Sequence, residues 1–560
     1  MVVALSEAGL IRCVDRSNRG NRPASFAGLR SEPSGTPVEM PAEGTAGLSA
    51  AMRRGAPPVI RTCPPFALPL AALFVLWPTL VSAEPRSGSG SPAELSDRPN
   101  IVLILADDLG WGSVGAYGAD RSLVRTPSID QLAAEGVAFR NAYTPSSVCS
   151  PTRYAILTGR YSWRTELKWG ALSIHSPLLP DPAEPTIASV LQRTGYATAF
   201  IGKWHLGFGN RPRLDYKRGL DPGPLELGFD YFYGLSSNHG DLTGVYTENH
   251  AVAGLRSGRT LPAAEAGTNF QGKPYLGLDA PRRVDEEVMD VFTERAIDWL
   301  GRQGPERPFF LYFSLVAVHR PVTPSSATAG TSAAGVYGDW IHEADRAVGR
   351  VLEALSESGV ADRTLVLFTS DNGGVVEDNP KLDASVARER GLEVNGPYRG
   401  GKRSVYDGGF RVPLVARWPG SAPAGSTREE MVSLVDLFAT LAELVGTDRL
   451  PPSSWSGRDS VTFLPALLGR RMESPRASLV LHSHDGNFAI RWGRWKWIEG
   501  VPEPGWKKSQ GQNEDADAIE HVPQLYDLES DPSESRNLVS DYPAVERHLS
   551  RLLTLAREEG

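Results

Sequence analysis

Apolar and polar positions alternate along this chain in two different rhythms from residue 98 onward. Residues 100–106 (Asn-Ile-Val-Leu-Ile-Leu-Ala) form a nearly unbroken apolar run that stops at Asp107-Asp108, the pattern of a strand buried on both faces. Residues 126–136 then carry a Thr cap, Pro127 at the first helical position, an apolar stripe and a closing Gly136, which predicts a helix. Strand-type runs return at 196–201, 309–315 and 365–368, with an amphipathic helix predicted over 343–356. The alternation predicts an α/β fold with a large, mostly parallel sheet between helices. Such sheets bind ligands beyond the carboxyl ends of their strands, and Asp107, Asp108, His205, His319, Asp371 and Asn372 all fall at or just past such ends.

From residue 474 the rhythm changes. Short strands are predicted at 478–482, 488–491 and 495–498, followed by a polar insert at 503–520 and an amphipathic helix at 543–556. They predict a smaller C-terminal antiparallel sheet with a helix, packed on the main domain. The Trp-rich stretch 491–497 reads as domain packing ahead of a sugar platform. The expected organisation is a catalytic domain over 98–473 and a C-terminal subdomain over 474–560.

Ahead of the folded part, residues 66–81 are apolar, follow Arg53, Arg54 and Arg61, and end in Val81-Ser82-Ala83. This is the pattern of a secretory signal over 52–83, cut after Ala83. With Pro69 and Pro78 inside it, the run makes a poor membrane span, which needs about 20 apolar residues, so an uncleaved anchor is the lesser alternative. Residues 1–51 read as an extension or a mis-assigned start, and the Ser/Gly/Pro-rich stretch 84–97 as a linker. An exported protein, periplasmic or secreted, is the expectation. Removing the leader takes Cys13 and Cys63 with it and leaves Cys149 alone, with no disulfide possible within the chain. Cys149 is then either a small buried core residue or a thiol set aside for chemistry.

A formal net charge of -8 over 560 residues excludes a general nucleic-acid binder, so any anionic substrate must meet a local cluster of cations. Asp107-Asp108 and Ser370-Asp371-Asn372-Gly373-Gly374 place hard oxygen donors at two strand exits. Calcium and magnesium sites use such donors; solvated acids capping the next helix are the alternative.

At this point the chain resembles the sulfatase family, of the arylsulfatase type. One stretch, Ser147-Val148-Cys149-Ser150-Pro151-Thr152-Arg153-Tyr154-Ala155-Ile156-Leu157-Thr158-Gly159, fits the family's first signature. Another, running from Gly195-Tyr196 through Gly202-Lys203-Trp204-His205, fits its second. Leu109-Gly110-Trp111-Gly112, the stretch 401–413 and Leu525-Tyr526-Asp527-Leu528 are further similar segments, so the likeness spans residues 98–538.

The resemblance implies an alkaline-phosphatase-like fold. It also implies oxidation of Cys149 to formylglycine by a maturation enzyme that reads Cys149, Pro151 and Arg153. Of the two hydroxyls of the hydrated aldehyde, one attacks sulfur; loss of a proton from the other expels sulfate, a release step a serine lacks. Asp107, Asp108, Asp371, Asn372 and modified Cys149 are implied ligands of one divalent cation, calcium ahead of magnesium. Arg153 would hold the ionised hydroxyl and the metal cluster, and Lys203 and Lys402 would bind sulfate oxygens. His319 would protonate the leaving oxygen and His205 would take the hydroxyl proton. Asn238 is the match for a polar group on sulfate, with His239 its rival. Specificity is expected from loops 163–174, 327–337 and 377–398. Cations and aromatics at 159–164 suit sugar rings bearing acids or sulfates, with a solvated rim as the equal alternative.

The reading is therefore a sulfuric ester hydrolase acting on a sulfated carbohydrate ahead of a simple aryl sulfate. A phosphodiesterase or phosphonate monoester hydrolase of the same superfamily is the alternative. A catalytically dead carbohydrate binder is opposed by every intact motif.

Overall fold

A computed structural model describes residues 98–558 apart from 377, 378, 380–382, 448–455, 474 and 501–521. The expected leader, the flanking segments 1–51 and 84–97, and the polar insert 503–520 lie outside the described residues, as do Cys13 and Cys63.

In chain order the large sheet contains β1 (Asn100–Ala106), β2 (Val137–Phe139), β3 (Ala197–Lys203), β4 (Tyr231–Leu235), β5 (Thr247–Glu248), β6 (Ala251–Val252), β7 (Phe309–Ser314), β8 (Thr364–Ser370), β9 (Leu414–Arg417) and β10 (Ser426–Arg428). Its spatial order is β10-β2-β9-β8-β1-β7-β3-β4-β5-β6. The central strands β8, β1, β7, β3 and β4 run parallel. Strand β9 is antiparallel to both of its neighbours, and β5 and β6 add an antiparallel edge. The result is the mixed, mostly parallel α/β sheet that the alternating pattern predicts.

Helices cover both faces. They include α1 (Pro127–Ala134), α2 (Cys149–Thr158), α3 (Val288–Leu300) and α4 (Val336–Glu357), while α5 (Pro543–Glu558) packs on the C-terminal sheet. Val102 and Ile104 of β1 pack into one core with Ile129 of α1, Phe292 of α3 and Trp340 of α4. Ile101, Leu103 and Leu105 enter the opposite core with Ile156 and Leu157 of α2. Both faces of β1 are dry, which is why its sequence shows no alternation; each such Leu or Ile contributes about 1.5–3 kcal/mol by burial. Helix α4 starts seven residues before the amphipathic stretch predicted at 343–356. Its first turns carry Val336, Tyr337, Gly338 and Trp340, weak helix formers kept helical by the burial of Tyr337, Trp340 and Ile341.

The C-terminal sheet is antiparallel throughout, in the order β11 (Ser478–His482), β12 (Phe488–Trp492), β13 (Trp495–Ile498), β14 (Gln524–Asp527). Its core takes in Leu549 and Leu553 of α5 and continues into Tyr143, Trp163 and Phe410 of the main domain. A buried ion network pins the join. Lys496 Nζ lies 3.0 Å from Asp407 and 2.7 Å from Glu534, and the Tyr143 hydroxyl donates to Asp407 at 2.6 Å. Trp497 is buried beside it and Trp492 rests on His548, ring centroids 4.9 Å apart, so this Trp-rich strand pair serves packing. Lys496→Met should leave the buried Glu534 carboxylate without its cation, while Asp407 keeps Arg411 at 3.1 Å, costing about 3–5 kcal/mol. A denaturation midpoint equal to that of the parent would contradict it.

Candidate active site

The two acidic motifs meet because β1 and β8 are neighbours in register, with Ala106 opposite Ser370. Beyond that pair the two exits are laced together. Asp108 N–H donates to Asp371 Oδ1 at 3.1 Å, Leu109 N–H to Ser370 Oγ at 2.9 Å, and Asn372 Nδ2 to Asp108 Oδ1 at 2.9 Å. Asp108 adopts a positive φ of 63°, a conformation Asp tolerates better than most side chains, and this turns its carboxylate back onto the cluster.

Cys149 is the first residue of α2, directly after the extended Val148. Its thiol, a carboxylate oxygen each of Asp107 and Asp108, and a His319 ring nitrogen lie within 4.8 Å of one another. Burial pushes the thiol up to about 11, against the pull of Lys203 and Lys402, so at neutral pH it is a protonated and weak nucleophile. The amino end of α2 favours an anion at this spot.

Three cations close the site. Arg153, one turn into α2, donates from Nε and Nη2 to Asp371 Oδ2 at 3.0 and 2.7 Å, and from Nη1 to Ser314 Oγ and the Lys203 carbonyl. Lys203 Nζ sits 2.6 Å from Asp107, and Lys402 Nζ 2.7 Å from Asp108. Arg153 and Lys203 are fully enclosed, which a surface role would not require.

The residues fit a hard divalent cation. Asp107 Oδ1 and Asn372 Oδ1 are buried and accept no hydrogen bond, a costly state only partly relieved at Asp107 by Arg153 Nη2 at 3.7 Å. The Asp107 carboxyl is pushed up to about 7, first by burial and then by Asp371 and Asp108, while Lys203 and Arg153 oppose the shift. Asp371 is likewise buried, but Arg153 and the two lysines hold it below the usual carboxylate range.

His319 follows β7 and its Nδ1–H donates to the Arg320 carbonyl at 2.6 Å, leaving Nε2 3.8 Å from Asp108. His205 follows β3; its Nε2 meets the Leu172 carbonyl at 3.0 Å, while Nδ1 is buried without a partner. Burial first, then Lys203 with Arg153 or Lys402, holds both rings well below the usual range, so both are neutral.

The cleft above these groups is about 500 Å³ and is lined by His319, Lys402, Asp108 and Asn238. Asn238 Oδ1 is unpartnered there. His239 instead points inward, bonded to Thr323 at 3.2 Å and tilted against Trp340, which leaves Asn238 as the one facing the cleft. Of the loops expected to shape the cleft, 163–174 supplies Ser173 and Ile174. Loop 327–337 supplies no lining residue, and 377–398 is partly outside the described residues. The other wall comes from the segment 237–273, which carried no periodic signal. Arg164 is not at the rim: it pairs with Asp459 at 2.8 Å and lies over Trp163.

The Sulfatase family model matches residues 99–447, and the model for the N-sulphoglucosamine sulphohydrolase C-terminal region matches 399–559. The N-acetylgalactosamine-6-O-sulfatase of Bacteroides thetaiotaomicron is 35% identical over 490 residues, covering 82% of this chain and 93% of that protein. Human N-acetylgalactosamine-6-sulfatase is 32% identical over 490 residues, 84% of this chain and 86% of its own length. A solved Bacteroides thetaiotaomicron structure, described as a 6S-sulf protein in the metabolism of multiple glycosaminoglycans, superposes with a TM-score of 0.73 at 34% identity, covering 82% of this chain and 100% of that one. Signature motifs, sheet topology and full-length relatives agree, and the chain belongs to the sulfatase family as a sulfuric ester hydrolase.

Proposed function

We propose that the substrate is a sulfate monoester on a saccharide, with 6-O-sulfated N-acetylgalactosamine first among candidates, cleaved with formylglycine made from Cys149 and one divalent cation, calcium ahead of magnesium. The observation that carries this reading is Cys149 at the amino end of a buried helix, with carboxylates of Asp107 and Asp108 and His319 within 4.8 Å. The substrate class rests on the relatives at 32–35% identity that bear such names.

Asp107, Asp108, Asp371 and Asn372 would hold the cation, which supplies the positive charge that acidifies a hydroxyl and draws electrons from a sulfate oxygen. Formylglycine would supply the nucleophilic hydroxyl and the second hydroxyl needed for release. Arg153 keeps Asp371 ionised and in place. Lys203 and Lys402 lie beside Cys149 and offset charge building on sulfate oxygens. His205, neutral with Nδ1 unpartnered, can take a proton. His319 is neutral partly because Lys402 and Lys203 face it; an anion entering between them counters that field and favours the charged ring that protonates the leaving oxygen. Export remains part of the proposal, on the strength of the pattern over 52–83.

Release of sulfate from N-acetylgalactosamine 6-sulfate, its 4-sulfate isomer and nitrophenyl sulfate, and of phosphate from nitrophenyl phosphate, should be measured. The expected order places the 6-sulfate first, and Asn238→Ala should cost it about tenfold or more in kcat/KM, the loss of one bond to a charged group. Preference for the phosphate ester would favour the phosphoester alternative and overturn this reading.

A further inference from the structure

Phe270 keeps 45% of its surface in solvent, yet it lines the same cleft as His319 and Lys402. A large apolar ring left wet at the mouth of a polar site marks a binding surface better than a packing accident. Its position is built. The ring packs over Gly240, where an added Cβ would stand 2.5 Å from a Phe270 ring carbon and 2.6 Å from Pro321, so a side chain at 240 would displace it. The backbone beneath is tied by Asn269, itself buried, which accepts from the Gln271 and Lys273 N–H groups and donates to the Gly240 carbonyl, each at 3.0 Å.

Two exposed cations share this wall. The Arg320 guanidinium lies 5.9 Å from the Phe270 centroid, and Lys273 lines the cleft three residues further along. No acid is paired with either among the described residues. The acids that do line the cleft are engaged elsewhere: Asp241 accepts from Thr243 and Ser236 and sits 3.8 Å from Arg283, and Asp108 is paired with Lys402. In a chain of net charge -8, this mouth is locally positive around an apolar ring.

We propose that Phe270, Arg320 and Lys273 form a second subsite, for the saccharide unit adjoining the sulfated ring, and that this unit carries an anionic group, a carboxylate or a further sulfate. The proposal rests on the reading of the substrate as a sulfated saccharide. A pyranose presents an apolar C–H face that stacks on a phenyl ring, while its anionic substituent reaches the flanking cations through charge-assisted hydrogen bonds. Neither motif matching nor the catalytic groups call for these three residues; their joint placement around one open volume does.

The test compares kcat/KM for a sulfated monosaccharide, a sulfated disaccharide with a neutral neighbour, and one with a uronate neighbour. The parent enzyme should prefer the uronate disaccharide. Arg320→Ala should lower the ratio of uronate to neutral disaccharide by about tenfold, and Arg320→Lys should restore part of it. Phe270→Ala, or Gly240→Val acting through the ring, should lower the ratio of either disaccharide to the monosaccharide, chiefly through KM. Thermal melting of each variant checks that the fold is intact. Ratios unchanged in folded Phe270→Ala and Arg320→Ala enzymes, with the parent active on all three sugars, overturn the subsite alone. A parent enzyme that releases sulfate from aryl esters but from no saccharide overturns the substrate reading and the subsite together.

Discussion

Cys149→Ala is expected to lower kcat/KM by on the order of 10⁵-fold or more, the loss that follows removal of a covalent nucleophile from a preorganised site. Cys149→Ser should be equally poor in turnover but different in kind. A serine hydroxyl at the amino end of α2 can attack sulfur, yet no second hydroxyl on the same carbon remains to expel sulfate. The variant should therefore hold one sulfuryl group per chain, visible by intact mass, while the alanine variant holds none. The unmodified thiol is no substitute either, since burial pushes it up to about 11 and keeps it protonated at neutral pH. Turnover by Cys149→Ser near the parent rate would remove the reason for an aldehyde. Because Cys149 is only 2% exposed, modification of the finished fold should fail: refolded thiol protein should stay unmodified when offered the maturation enzyme, whereas the unfolded chain should be converted.

Removing the divalent cation is expected to cost on the order of 10³-fold in kcat and to change how stability depends on pH. With the carboxyl of Asp107 at about 7 in the metal-free fold instead of the ordinary 3.8, the folded protein binds that proton more tightly than the unfolded chain does. Stability of the metal-free protein should then fall as pH rises from about 4 to about 7. Asp371, held down by Arg153, acts in the opposite sense: its contribution is present above its unfolded value and is lost only as the solution becomes more acid. A bound cation needs Asp107 ionised, so it should stabilise more at about pH 8 than at about pH 5. Glu534 is also raised to about 7, but it lies in the interdomain network and contributes equally with and without metal. Melting curves with chelator and with calcium, at both pH values, give the difference that matters. A cation-induced rise in melting temperature that is the same at both would contradict the assignment of Asp107 as a ligand.

The central sheet could be read from the chain because its strands are buried on both faces, and a doubly buried strand writes itself as an apolar run with an abrupt polar stop. Asn100–Ala106 ending at Asp107, and Thr364–Ser370 ending at Asp371, show both the element and the place where chemistry can sit. That the two stops are adjacent comes from the family resemblance and not from the pattern, since it depends on β1 and β8 pairing across more than 250 residues. The predicted strand at 365–368 stops short of the polar end of β8, where Thr369 and Ser370 are buried and Ser370 is satisfied by Leu109 and Asn372. The cleft wall at 237–273 was illegible for a different reason. Its residues are placed by turns, such as the one that Asn269 ties, and turns give no period to detect. The cluster at 159–164 misled because charge and aromaticity look the same in sequence whether they meet a substrate or, as Arg164 does, a buried aspartate and a neighbouring tryptophan.

Mass spectrometry of the peptide spanning Ser147 to Arg160, taken from enzyme purified from its native host, bears most directly on the site. Residue 149 should be found as an aldehyde, in a fraction that tracks specific activity from one preparation to the next. A fully active preparation in which Cys149 is an intact thiol, open to alkylation after unfolding, would contradict the mechanism at its root.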